Sequence, residues 1–286
     1  MRNDFAVFIL THGRADRVYT YETLKRVGYT GAIYIVIDNE DKAEDEYRRI
    51  FGDKIIVFDK LAVSKTFDTA DNESERRTVV FARNACFEIA KRLGLKYFLE
   101  LDDDYTSFAF RYPQGDSLKA KELRKADEAF EAALEFLEVS RALTVTFAQA
   151  GDFIGGLQAD GGGAWRKKVL RKAMNTFFCS TERPFKFVGR INEDVNTYVT
   201  MGMRGELMFT VTDLAITQKQ TQTNSGGMSD VYLDSGTYLK SFYTVLFQPS
   251  CTTVERMGGN TYHRIHHRIE WEHCVPKILN ERYRKV

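Results

Sequence analysis

Cysteine, proline and long apolar runs are all scarce in this chain of 286 residues, and each scarcity removes a class of protein. The four cysteines, Cys86, Cys179, Cys251 and Cys274, are widely scattered and form no CxxC pair. This argues against a disulfide framework or a zinc knuckle and suits reduced thiols in a cytosol. No stretch approaches the roughly 20 apolar residues that span a bilayer. Phe5 to Leu10, the apolar run near the start, is too short for the core of a signal peptide and reads as a buried strand. A soluble, cytoplasmic protein with no membrane contact is therefore expected. The formal charge of only +1 argues against a general nucleic-acid coat, while leaving room for a local basic face. No GxxxxGK[ST] phosphate loop is present, and no tandem repeat. Low complexity is confined to short glycine clusters such as Gly161-Gly162-Gly163 and Gly258-Gly259.

What is present suffices for a full core. With 43% hydrophobic and 13% aromatic residues, the chain reads as one large α/β domain that needs no covalent staples. The first hundred residues alternate in period. Strands are expected at Phe5–Leu10, Ala32–Ile37 and Lys54–Phe58, with helices at Ala15–Val27, Asp41–Phe51 and about Ser74–Leu93, the last stopped by Gly94. Such alternation predicts a parallel sheet. A long amphipathic helix is expected between Asp116 and Arg141, then a strand at Thr144–Ala148. Strands near Glu206–Val211 and Thr244–Gln248, among glycine turns and irregular aromatic segments, suggest a mixed second half. No linker divides the chain, so residues 1–286 read as a single domain, with 1–110 and 111–286 as its two halves.

The most telling segment is Tyr97-Phe98-Leu99-Glu100-Leu101-Asp102-Asp103-Asp104, where an apolar strand runs straight into three carboxylates. In open α/β sheets the ligand crevice lies outside such strand ends. Crowded carboxylates repel one another unless a cation sits between them, and a hard divalent ion carrying phosphate oxygens meets that need. A solvated acidic turn is the plain alternative. Thr11-His12-Gly13-Arg14 follows the first strand and precedes a helix, where backbone donors and a cation face the same crevice and suit a nucleotide. Asp38, closing the second strand with Asn39 and Glu40 beside it, is placed to accept hydrogen bonds from a base or a ribose hydroxyl.

Three further segments fill out the pattern. Ala82-Arg83-Asn84 lies on the helix before the acidic strand, where Arg83 offers a planar fork to phosphate or sugar oxygens or stands as an exposed helix cation. Ile191-Asn192-Glu193-Asp194 precedes the helix-like Val195–Met201; its adjacent acids point different ways, so one of them reaches an acceptor, and Asp194 is favoured over Glu193. Both also suit a helix N-terminus through its dipole. Tyr262 to Arg268 holds three of the five histidines, with His263 and His267 on one face if the segment is helical.

In this order, the strand with Thr11 to Arg14, Asp38, the ARN helix, the DDD strand end and the NED segment resemble a GT-A glycosyltransferase over nearly the whole chain. Met257-Gly258-Gly259-Asn260 and His267-Arg268-Ile269-Glu270-Trp271 further resemble the phage-encoded TET/JBP-associated glycosyltransferases, implicated in adding sugars to hydroxymethylated pyrimidines in DNA. The resemblance implies a Rossmann-like, mostly parallel sheet flanked by helices with an irregular C-terminal acceptor half. It implies a nucleotide-diphosphate sugar as donor, a UDP-sugar for choice, and Mn2+ or Mg2+. Thr11, His12, Arg14, Asp38, Arg83, Asp102 and Asp103 would bind the donor. Asp102 and Asp104, with His263 or His267, would hold the metal; Asp194, or Glu193, would act as base. The spacing between the metal and base motifs departs from the usual GT-A pattern, and neither the sugar nor the stereochemistry is encoded in these motifs.

For a DNA acceptor the local charge matters more than the total. From Ala164 to Arg190 the bases Arg166, Lys167, Lys168, Arg171, Lys172, Arg183, Lys186 and Arg190 face the single acid Glu182, a surplus of 7 that suits phosphate tracking or a solubility face. Trp165, Phe177, Phe178 and Trp271 would stack on an extruded base or fill the core. A protein, lipid or glycan acceptor stays open. A metal-dependent nucleotidyltransferase would need a second carboxylate cluster, and a silent DNA-binding module would leave the metal and base motifs unexplained. No protein partner is indicated.

Overall fold

The computed structural model describes residues 1–71, 74–153, 156–158, 173–219, 228–257 and 264–284. The first half follows the expected alternation: β1 (Phe5–Leu10), α1 (Tyr19–Arg26), β2 (Ala32–Asp38), α2 (Glu44–Phe51), β3 (Ile55–Phe58), the short α3 (Lys60–Ser64), α4 (Val80–Arg92) and β4 (Tyr97–Asp102). There follow β5 (Tyr105–Gln114), β6 (Ser117–Glu122), α5 (Ala126–Ser140), β7 (Thr144–Gln149), β8 (Phe177–Ser180), α6 (Glu193–Met203) and β9 (Met208–Gln218). The chain closes with α7 (Met228–Phe247), a hairpin of β10 (Thr252–Met257) and β11 (Arg264–Ile269), and the short α8 (Trp271–Cys274).

Nine strands form one mixed sheet in the order β3-β2-β1-β4-β8-β7-β9-β5-β6. The β3-β2-β1-β4 portion is parallel, whereas β8 runs antiparallel to β4. From β1 the chain moves outward to β2 and β3, then returns to the other side of β1 for β4. This reversal is a topological switch point, the place beyond the strand carboxyl ends where open α/β sheets bind ligands.

Every residue of β1 is buried because helices cover both faces of the sheet. Alternate side chains serve opposite layers. Phe5, Val7 and Ile9 join Leu24 of α1, Tyr47 of α2 and Phe130, Leu134 and Leu137 of α5. Ala6, Phe8 and Leu10 join Val80, Phe81, Ala85 and Ile89 of α4. The same alternation in β4 sends Leu99 and Leu101 to the first layer and Phe98 to the second. Glu100 and Asp102, in register with Phe98, therefore turn towards α4. Each large apolar side chain removed from water contributes about 1.5–3 kcal/mol.

Several sequence expectations are corrected. The helix expected from Ala15 divides at Val18 into a 3-10 turn, Ala15–Arg17, and α1. The helix expected between Asp116 and Arg141 is β6 followed by α5, because Gly115, at φ +57, turns the chain back and pairs β6 with β5. The Lys/Glu pattern of β6 that resembled a helix face belongs to an edge strand, where charges discourage further pairing. Thr244–Gln248 is not a strand; it falls largely in the last turn of α7, where short apolar runs are ambiguous between helix and strand. The helix before the acidic strand begins only at Val80, although Gly94, at φ +70, ends it as expected. The strand expected at Glu206–Val211 continues as β9 to Gln218. Phe177 and Phe178 are fully buried in β8, so they are core residues rather than base-stacking platforms.

Candidate active site

The pairing of β1 with β4 sets the site, because Leu10 lies opposite Asp102 in the parallel register. One residue further on, Thr11 Oγ1 donates to Asp103 Oδ2 at 2.6 Å. Arg14 Nη1 lies 3.4 Å from Asp103 Oδ1. On the other side of β1, Leu10 pairs with Val36, which brings His12 level with Asp38. His12 Nδ1 is 2.7 Å from Asp38 Oδ2, and Lys60 Nζ donates to the same oxygen at 3.2 Å. Burial raises the Asp38 pKa, but the His12 hydrogen bond and the Lys60 charge outweigh it and hold the carboxyl below its ordinary value. Gly13 stands at φ +66, a conformation costly for side chains with a Cβ, and its N–H donates to Asp41 Oδ2 at 2.7 Å. The tyrosine hydroxyl of α2, Tyr47, accepts from the Arg14 N–H at 2.9 Å.

The loop after β4 is braced from α1. Thr20 Oγ1 donates to the Asp102 carbonyl at 2.5 Å and accepts from the Tyr105 N–H at 2.9 Å, while the Thr20 N–H donates to the Asp103 carbonyl at 3.1 Å. Tyr105 donates its hydroxyl proton to the Asn175 carbonyl at 2.6 Å and lies 3.2 Å from Asp102 Oδ2. The three consecutive acids thus have different surroundings. Asp102 meets Arg83 and Tyr105, Asp103 meets Thr11 and Arg14, and Asp104 has no ion pair among the described residues.

Arg83 is only 2% exposed. Its Nε donates to Glu193 Oε1 at 3.1 Å, its Nη2 donates to Asp102 Oδ1 at 3.0 Å, and its Nη1 is 3.8 Å from Glu100 Oε2. The fork expected to face a ligand is instead turned to protein carboxylates. Next to it, the Asn84 amide donates to the Phe187 carbonyl and accepts from the Phe187 N–H, both at 2.9 Å. The ARN segment thereby fastens α4 to the chain leading into Glu193 and Asp194. Asn192 precedes α6 at φ 56, a left-handed conformation that asparagine tolerates, and its carbonyl accepts from the Asn196 N–H at 2.8 Å. Its side-chain amide donates to the Lys240 carbonyl at 2.8 Å and lies 3.5 Å from His267 Nδ1.

His267 therefore comes to the start of α6, but the helical pairing with His263 does not hold, since the chain is a strand from Arg264 onward. His263 itself lies outside the described residues, as do Trp165, Arg166, Lys167, Lys168, Arg171 and Lys172. The described bases of that segment do not make a uniform face. Arg183 donates to the Ala142 and Leu137 carbonyls, and Arg190 is buried with a two-point ion pair to Asp71. Trp271 stacks on Tyr198 of α6 with ring centroids 5.6 Å apart.

Acids outnumber bases around the end of β4. Burial raises the Glu100 carboxyl to about 8 despite the Arg83 charge. Burial, then Asp102 and Asp103, lifts Asp104 to about 7. Burial and then Asp194 do the same for Glu193, also to about 7. Among the described residues no three Asp, Glu, His or Cys side chains form a metal cluster. A divalent ion bound through one or two carboxylates and substrate phosphate oxygens needs no such cluster. Asp102 and Asp104 fit that requirement: both supply hard oxygen donors at the strand end, and burial with the neighbouring acids penalises ionisation of Asp104.

Sequence assigned no role to Glu100, Tyr105, Thr20 and Tyr47, nor to Asn84 and Asn192 beyond their place in the ARN and NED segments. Of the first four only Glu100 carried a signal, as a charged residue inside an otherwise apolar strand. The hydroxyl and amide braces are contacts between distant segments, with no local pattern to mark them.

The chain is a glycosyltransferase built on a mixed sheet whose first four strands are parallel. More narrowly, the chain belongs to the TET-associated glycosyltransferase family, whose model matches residues 5–227. Comparison with curated proteins gives no match. Among solved structures, glucosyl-3-phosphoglycerate synthase from Mycobacterium tuberculosis, in complex with Mn2+, UDP and phosphoglyceric acid, is similar with a TM-score of 0.44 and 10% identity, over 93% of this chain and 86% of that chain. CMP:2-keto-3-deoxy-manno-octonic acid synthetase complexed with CTP gives a TM-score of 0.40 and 11% identity, over 82% of this chain and 97% of that chain. No residue role is transferred from either.

The raised acids make stability depend on pH. A carboxyl whose folded pKa lies above its unfolded value favours folding while protonated, and that contribution is lost as pH rises through the folded pKa. The metal-free protein should therefore lose thermal stability from about pH 5 to pH 8, by at most about 1.4 kcal/mol per pH unit for one group. Glu100→Gln should flatten this slope in calorimetric unfolding. An unchanged slope would mean that Glu100 is ionised in the folded protein.

Proposed function

We propose that this enzyme transfers a sugar from a nucleotide-diphosphate sugar, a UDP-sugar, to the hydroxyl of a 5-hydroxymethylpyrimidine in DNA, with Mn2+ or Mg2+ as cofactor. The observation that carries the donor side is the acidic end of β4 at the switch point beside β1, in a chain of this family. DNA as acceptor rests on the family and on the cluster of bases Arg166, Lys167, Lys168, Arg171 and Lys172 in the sequence. The reaction would take place in the cytoplasm of the cell that supplies the sugar nucleotide, a host cell if the gene is carried by a phage.

In this reading Asp102 and Asp104 hold the divalent ion. When bound, the ion stabilises the charge that develops on the departing diphosphate. Thr11, His12, Arg14 and Asp38 bind the nucleotide, with Asp103 keeping Thr11 and Arg14 in place. Asp194 takes the proton of the acceptor hydroxyl as the sugar carbon is attacked, while Glu193 is held by Arg83. His267, beside Asn192, lies on the acceptor side.

Asp104→Ala should abolish divalent-dependent binding of the sugar nucleotide while leaving the circular dichroism spectrum unchanged. Undiminished metal-dependent binding in titration calorimetry would remove Asp104 from this role.

Asp194→Asn keeps the shape of the side chain and removes its basicity. Donor binding should survive, and transfer should fall by roughly 10²–10⁴. A near-normal rate would exclude Asp194 as base, and the same loss in Glu193→Gln alone would move the role to its neighbour.

Mass spectrometry should find one hexose or pentose added per modified base on hydroxymethylpyrimidine DNA, and none on unmodified DNA. If no donor in a broad panel labels such DNA while a protein, lipid or glycan is labelled, the DNA acceptor is overturned and the glycosyltransferase stands.

A further inference from the structure

The donor and acceptor halves of the site come from different parts of the chain, and Arg83 is bonded to both. Asp102 ends β4 on the donor side, whereas Glu193 begins α6 beside the proposed base. Between them stands the guanidinium, with Nη2 on Asp102 Oδ1 at 3.0 Å and Nε on Glu193 Oε1 at 3.1 Å. The third nitrogen, Nη1, is buried without a hydrogen bond and faces Glu100 Oε2 at 3.8 Å. Phe177 lies under the guanidinium at 4.9 Å and Phe187 at 5.8 Å. The side chain is inaccessible to a ligand, and aromatic packing together with carboxylates on three sides leaves it little rotational freedom.

We infer that Arg83 is a positioning residue of the transfer, fixing the donor-side carboxylate Asp102 and the acceptor-side carboxylate Glu193 relative to each other through one rigid guanidinium. This rests on the functional reading above. Because only a planar fork can hold two carboxylates in set directions, lysine, a single point charge on a flexible stem, does not replace it. Misplacement of reacting groups by about 1 Å can cost on the order of 10²-fold in rate. The loss therefore falls on the transfer step rather than on substrate affinity. Asn84 supports the same link by holding the Phe187 backbone at both its donor and its acceptor.

The test uses Arg83→Lys and, separately, a stability cycle that needs no activity. Arg83→Lys should lower kcat on the order of 10²-fold, while KM for sugar nucleotide and for acceptor stay within about threefold. A donor KM raised by the full loss, with kcat intact, would make Arg83 a donor ligand and overturn the inference. Wild-type kcat would overturn it too. In the cycle, unfolding is measured in metal-free protein for Asp102→Asn, Glu193→Gln and the double variant. Their effects should be non-additive with Arg83 present and additive in an Arg83→Met background, since a shared partner couples neighbouring residues. Additivity in both backgrounds would refute the link. If Arg83→Met does not fold, the cycle is read in Arg83→Lys, where the coupling should shrink and unchanged coupling refutes the link. If the wild-type protein shows no transfer with any acceptor, the functional reading fails, and the cycle still decides whether Arg83 couples the two segments.

Discussion

The guanidinium of Arg83, surrounded by Glu100, Asp102 and Glu193, is the interaction on which the rest of the site depends. Removing one partner from a buried charge pair typically costs about 3–5 kcal/mol, because the remaining charge is left uncompensated. Three carboxylates share this single cation, and burial raises the Glu100 carboxyl above its ordinary value despite the Arg83 charge. The cluster therefore crowds acids at a strand end, where burial and neighbouring carboxylates disfavour ionisation of Glu100, Asp104 and Glu193. That crowding gives Asp102 and Asp104 their suitability for a hard cation, and it ties α4, β4 and α6 into one unit.

Strand pairing supplies the second constraint. The parallel register of β1 against β4 and β2 carries Thr11 to Asp103 and His12 to Asp38 without any specialised loop. Slipping a strand by one residue would exchange its two faces. In β4 that would drive Leu99 and Leu101 against Arg83 and put Glu100 into the aliphatic layer beneath α1 and α5. Core packing and site geometry are thus specified by the same alternation. The hydroxyl of Thr20, bonded to both sides of the acidic turn, adds a local brace that limits the freedom of the acids.

The proposed acceptor side is built differently. The α6 start depends on a left-handed asparagine, on a carbonyl of α7 and on a histidine of the β10–β11 hairpin. These contacts join segments separated by 48 and 75 positions in the chain. Loop-closure entropy must be overcome before such contacts form. The first half has its own parallel core to stabilise it, whereas this arrangement depends on packing from later segments.

Composition and periodicity by themselves determined that the chain has a large α/β core, that its first half alternates strand and helix, and that an apolar strand ends in three acids. These are local properties: burial on two faces writes apolar runs, and a run ending in Asp102-Asp103-Asp104 announces its own chemistry. The order of segments holding Thr11, Asp38, Arg83, Asp102 and Asp194 carried a resemblance, and the glycosyltransferase class it implied holds. Only the tertiary structure decided that Ser117–Glu122 is an edge strand, because Gly115 and pairing with β5 outweigh its helix-like charges. Only the tertiary structure turned Arg83 inward, since an arginine's partners are set by which strands and helices surround it, and Glu100 and Glu193 lie 17 and 110 positions away. Sequence records what each residue can bond to; the three-dimensional pairing of distant segments decides which bond is made.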